Sequence, residues 1–85
     1  MAEKKIEKMR KESKVEILAL DDTEGEILYF TDEVDTSGNF VRFKPKSCFA
    51  KNRFYNMSEM VLILPSTRIK QIVIRQIEGE ECKRQ

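Results

Sequence analysis

The sequence predicts a mainly β domain: a short N-terminal helix followed by about five antiparallel strands that close into a small barrel or a curled sheet. Three observations lead there. Apolar residues recur with a period of two over Val15–Leu20 and Phe40–Lys44, the spacing of a strand with one buried face. Turn-forming clusters separate the apolar runs at short intervals. The densest apolar stretch, from Met60 through Leu64 to Ile72, Val73, Ile74 and Ile77, is cut by Pro65 and is rich in β-branched residues. It reads as two strands joined by a turn, and the rest of the chain is expected to fold onto it.

Residues 1–14 form a charged helix or arm. Ile6 and Met9 give it a thin apolar stripe, and Glu7 stands four before Lys11 for a helical ion pair. Its bases, Lys4, Lys5, Lys8, Arg10, Lys11 and Lys14, also suit an arm that reaches a phosphate backbone, although light docking is the simpler expectation. Residues 15–78 form one small β domain, and residues 79–85 a charged tail.

Within the domain, Val15, Ile17 and Ala19 share one face of the first strand, with Leu18 and Leu20 on the other. Asp21 to Gly25 turns the chain, and Glu26–Thr31 is the second strand. Asp32 to Asn39 is expected as a polar connection with a hairpin return at Ser37, Gly38 and Asn39. Phe40–Lys44 is the third strand, which Pro45 ends or marks as an edge. Lys46–Glu59 is expected to be irregular, with a short helix near Ser47–Arg53. Met60–Leu64 suits a strand buried on both faces, because Pro65 disfavours a helix running through Leu64. From Arg68 to Ile77 a helical face exists (Ile69, Ile72, Val73, Ile77), with Ser66 as a cap and Gly79 as a stop. The β-branched content and the lack of Ala or Leu favour a strand.

Composition excludes several function classes. Forty per cent of the 85 residues are hydrophobic and 36% charged, with a net charge of +1, which is globular without a bulk attraction to nucleic acid or membrane. No run approaches the ~20 apolar residues of a membrane span, and no signal-peptide core opens the chain, so a cytoplasmic protein is expected. Cys48 and Cys82 are then expected as thiols. The chain has no His. Two distant cysteines cannot hold zinc, and no glycine-rich phosphate loop is present, so no metal, no cofactor and no enzymatic activity are expected. The carboxylate pairs Asp21 with Asp22 and Asp32 with Asp35 read as turn acids.

The distribution of charge says more than its sum. Seven acids and no base lie between Asp21 and Asp35; five bases and no acid lie between Thr36 and Ser58, together with five of the seven aromatics. Cations that track phosphates beside rings that stack on bases suit single-stranded RNA or DNA. Arg42, Lys44, Lys46, Lys51 and Arg53 with Phe54 and Tyr55 are the candidate nucleic-acid site. Phe43 and Phe49 are expected in the core, with Phe40, Phe54 and Tyr55 undecided between core and stacking surface. The alternative is a protein-interaction, assembly or inhibitor module that meets its partner through Asp21, Asp22, Glu24, Asp32, Glu33 and Asp35 or through an exposed strand edge. The two blocks would also suit facing each other across a hairpin or between subunits. The apolar Met60–Leu64 strand further suggests a homo-oligomer.

A basic helix followed by five strands, the last two joined by a short turn, resembles the SH3-like small barrels of the Sm-like family. Gly25, and Asp35 with Asn39, are similar to that family's first motif. The resemblance implies RNA binding by a ring of subunits. This sequence differs in its longer Asp32–Gly38 connection and in Pro65-Ser66-Thr67-Arg68 where an Arg-Gly pair is expected. Arg10 with Lys14, followed by Asp35-Thr36-Ser37, is similar to the PilZ pattern, which implies a cyclic-dinucleotide-binding regulatory domain. Here the second arginine is a lysine, and Phe40 stands where that motif has glycine.

Overall fold

The computed structural model describes residues 2–23, 25–57 and 59–75. Helix α1 (Ala2–Glu12) leads into six antiparallel strands: β1 (Val15–Asp21), β2 (Gly25–Ser37), β3 (Phe40–Ala50), β4 (Arg53–Asn56), β5 (Leu62–Pro65) and β6 (Ile69–Ile74). A single 3-10 turn, Ser66–Arg68, separates β5 from β6. The strand order is β4-β3-β2-β1-β6, and β5 pairs with the other end of β3. The sheet is not closed by hydrogen bonds. It curls all the same, because β5 on the β3 side and β6 on the β1 side are consecutive in the chain and one turn apart.

The alternation in β1 sets the core. Val15, Ile17 and Ala19 are buried, and the antiparallel register lays Thr31, Tyr29 and Ile27 of β2 directly opposite them. Cys48 and Ala50 of β3 continue that face, as do Val41 and Phe43 further along, where the Tyr29 and Phe43 rings meet edge to face at 5.2 Å. The core therefore sits on β1, β2 and β3. Met60–Ile74 does not organise it: Leu62, Leu64, Ile69 and Ile72 pack against its rim. Met60, Val61 and Ile63 are exposed, so that stretch is not buried on both faces.

Three expected boundaries move. The polar Asp32–Ser37 segment is not a connection but the outer half of β2, paired with Phe40–Phe43, and only Gly38 (φ +59°) and Asn39 make the turn. Pro45 does not end β3. It falls at an irregular register with Thr31, opposite the gap between β4 and β5, where its missing N–H forfeits no ladder bond. Lys46 is the extra residue of a bulge there, since Phe30 and Thr31 face Ser47 and Pro45. The expected helix near Ser47–Arg53 is instead the end of β3, a two-residue turn and β4. Lys51 (φ +51°) and Asn52 (φ +64°) both take the left-handed conformation that such a tight hairpin demands.

Of the Arg68–Ile77 stretch, Arg68 ends the 3-10 turn and Ile69–Ile74 forms a strand, with Ile17 opposite Ile72. Its expected end at Ile77, the tail at 79–85 and Cys82 lie outside the described residues. Cys48 is buried.

The other face of the sheet carries Leu18, Leu28, Phe30, Phe49 and Phe54. Phe30 is fully buried, stacked on Phe54 at 6.3 Å, and Phe49 lies 4.8 Å from Phe54. Helix α1 attaches to this side: the Lys5 ammonium stands 5.4 Å from the Phe54 ring, and Arg10 donates two hydrogen bonds to Glu16 at 3.1 Å each. The light docking expected of a two-residue stripe is observed, with Ile6 and Met9 half-buried. No helix among the described residues is long and apolar enough to cross a membrane.

Candidate nucleic-acid interface

The outer half of β3 alternates cleanly. Val41 and Phe43 point into the core, while Phe40, Arg42 and Lys44 take the solvent face. Phe40 is 54% exposed, and it directly faces Pro65 on β5 and Ser37 on β2. The Ser66 backbone N–H and hydroxyl both donate to the Asn39 carbonyl at 2.8 and 3.0 Å, which pins the β2–β3 turn against the 3-10 turn and fixes the base of this surface. Neither Arg42 nor Lys44 forms an ion pair among the described residues.

Lys46 has a different role. Its ammonium donates to the Glu12 carbonyl at the end of α1 (2.8 Å) and pairs with Asp32 at 3.4 Å. A cation at a helix C-terminus satisfies open carbonyls and meets the negative end of the helix dipole. Lys46 is therefore a clamp between α1 and the sheet.

Lys51 and Arg53 are exposed at the far hairpin, and Tyr55 beyond them is 44% exposed. Ala50, the residue opposite Arg53, lies eight positions beyond Arg42, about 26 Å of strand path at ~3.3 Å per residue. Phe54 is half-buried against Phe30, Phe49 and Lys5, so its ring is already stacked within the fold. The seven candidate residues thus form two clusters rather than one patch, with Lys46 and Phe54 drawn into the structure.

The acids separate similarly. Asp21 accepts hydrogen bonds from the Thr23 N–H (3.0 Å) and hydroxyl (2.7 Å), the geometry of an Asx turn. Arg68 reaches Asp22 at 3.1 Å and Asp21 at 3.9 Å, and Lys70 pairs with Glu26 at 2.8 Å. Bases from the 3-10 turn and β6, outside the basic block, therefore hold the acidic turn. Glu24 lies outside the described residues. Glu33 and Asp35 are exposed on the outer half of β2 and form no ion pair among the described residues. Together with Asp32, Arg42 and Lys44 they line a cleft of about 450 Å³, walled by Thr31, Val34, Phe43 and Val61.

The charged group that sequence reasoning missed is Glu16. It is the one acid inside the β1 alternation, its side chain is 8% exposed, and Arg10 and Arg75 both bond to its carboxylate. Burial alone would raise its pKa, but the two arginines' hydrogen bonds and charge outweigh that and hold it below the ordinary carboxylate value. In the core, burial raises the Tyr29 phenol, and the nearby Cys48 and Asp21 add to the shift.

No protein-family model matches this chain, and neither does any curated protein or solved structure. The PilZ-like residues are divided: Arg10 bonds to Glu16, while Asp35-Thr36-Ser37 pairs with Val41 and its neighbours on β3. No cluster of side chains suited to a metal ion occurs among the described residues.

Proposed function

We propose that this protein is a non-enzymatic binding module for single-stranded nucleic acid, which engages the outer face of β3 through Phe40, Arg42 and Lys44. One observation carries the reading. An exposed ring and two cations that form no ion pair among the described residues share one strand face at two-residue spacing, while the bases at Arg10, Lys46, Arg68, Lys70 and Arg75 are occupied by intramolecular partners. Rings stack on bases and cations track phosphates. Lys51, Arg53 and Tyr55 supply a second contact, which a strand within the ~4–16 nucleotides that one single-strand-binding barrel covers can reach. The strand order supports a small barrel of Sm-like type left open at the β5–β6 seam, with β4 and β5 lying end to end as one interrupted partner of β3.

Fluorescence anisotropy of labelled RNA and DNA single strands tests this. Binding is expected to weaken steeply with salt. Arg42→Gln with Lys44→Gln, which avoids setting a new carboxylate opposite Asp35, is expected to abolish it without changing the melting temperature. Retained affinity in that variant would remove Phe40–Lys44 from the site.

The second reading is a protein-assembly module. Its specific support is apolar exposure on the outer strands, with Ile63 at 58% on β5 and Ile74 at 69% on β6. It predicts a mass above one chain in light scattering and no binding to nucleic acid.

A further inference from the structure

The geometry points to selection by base: we propose that the cleft between the outer halves of β2 and β3 reads the amino-bearing edge of a nucleobase, guanine foremost, through Glu33 and Asp35. This inference rests on the nucleic-acid reading above and goes further in naming what that surface prefers. A site built only for phosphates has no use for carboxylates, which would repel them. Here the cleft of about 450 Å³ holds both signs, Arg42 and Lys44 beside Asp32, Glu33 and Asp35, and Val34, Phe43 and Val61 are the apolar part of its lining.

Asp35 lies directly across from Arg42 in the β2–β3 register, yet the two form no ion pair. Arg42, Lys44, Glu33 and Asp35 all lack an ion-pair partner among the described residues, while Asp32 in the same cleft is held by Lys46. The volume falls in the usual range of about 300–1,000 Å³ for small-molecule sites.

A nucleotide presents what such a lining lacks: an anion at one end and, on most bases, a neutral donor edge at the other. Unstacked bases are read on their Watson–Crick edges. Guanine offers two adjacent donors, N1–H and the N2 amino group, to the two oxygens of a single carboxylate. Cytosine and adenine each offer one amino donor, and carboxylates accept from such groups. Uracil places its single N3–H between two carbonyls, and both carbonyls repel a carboxylate. Arg42 and Lys44 would hold the phosphate while Glu33 or Asp35 accepts from the base.

The test is anisotropy at low salt with the full chain and labelled uridine dodecamers, either uniform or carrying one central guanosine, cytidine or adenosine. The guanosine oligomer is expected to bind about tenfold tighter than uniform uridine, within the range of one bidentate base contact. The double variant Glu33→Gln, Asp35→Asn is expected to bind both alike at an unchanged melting temperature, since both side chains are exposed. Equal binding of all four oligomers by the unaltered protein overturns base selection and leaves the nucleic-acid reading standing. A guanosine preference that survives the double variant also overturns the assignment, because another group would be reading the base. Absence of binding to every oligomer removes the nucleic-acid reading and this inference with it.

Discussion

Lys44 and Lys46 stand two residues apart on one strand and have opposite fates. Lys46 reaches back to the end of α1 and to Asp32, in a region where Glu16, Arg10 and Arg75 also join α1, β1 and the residue after β6. Lys44 belongs to the outer arm of β2 and β3, where Glu33, Asp35, Arg42 and Lys44 itself make no ion pair among the described residues. The first region uses charge to hold elements together. The second leaves charge available to a ligand, and a bulge at Lys46 marks the boundary. Identical residue types therefore answer to different measurements, stability in one case and binding in the other.

The sharpest way to break this contrast is Glu16→Ala. It strands two arginine side chains against a mostly buried site, and it is expected to cost about 3 kcal/mol in urea unfolding, the low end for a broken buried ion pair because both arginines retain some solvent. A cost below about 1 kcal/mol would mean that α1 and Arg75 contribute little. Acid should act on the same group. Its folded pKa is lowered, so its contribution is complete above the ordinary glutamate value of about 4.3 and is lost as pH falls through the folded value. The Glu16→Gln variant should show a flatter decline over that window in pH-dependent melting.

Arg68→Ala comes next. It removes a pair to half-exposed Asp21 and one to solvent-exposed Asp22, with an expected cost of about 0.5 kcal/mol that shrinks in high salt. The smallest stability effect is expected at the outer arm, where Arg42→Ala or Lys44→Ala should stay within about 0.5 kcal/mol while lowering affinity for single strands. A large stability loss at either position would erase the distinction between the two regions.

The sequence made β1 legible because burial imposes a period of two, and Val15, Ile17 and Ala19 obey it. The Asp21–Gly25 turn and the Phe40–Lys44 alternation were legible for the same local reasons. Asp32–Ser37 was not. Five of its six side chains face solvent and Val34 alone packs against the core, too little apolar periodicity to distinguish a strand held by the register of the Gly38–Asn39 turn from a loop. The bulge hid Ser47–Asn56 by shifting the alternation partway along β3, which left an aperiodic pattern. At the candidate site, Phe40, Arg42 and Lys44 could be found from spacing alone. The removal of Lys46 and Phe54 could not, because their partners, Glu12, Asp32, Lys5 and Phe30, are 14 to 49 positions away in the chain.

The seam beside the 3-10 turn also governs how the molecule is made. β1 pairs with β6, Val15 facing Ile74, so the first strand to leave the ribosome waits for the last described one. At ~5–20 residues per second, some 60 residues of synthesis take roughly 3–12 s. Throughout that interval one edge of β1 has no partner, and hairpins formed by β1, β2 and β3 can assemble without it. Completion then requires a contact of long sequence separation, the kind that slows folding. When β6 arrives, the backbone ladder to β1 holds it, and Arg68 on Asp21 and Asp22 with Lys70 on Glu26 ties it to the turn of the first hairpin.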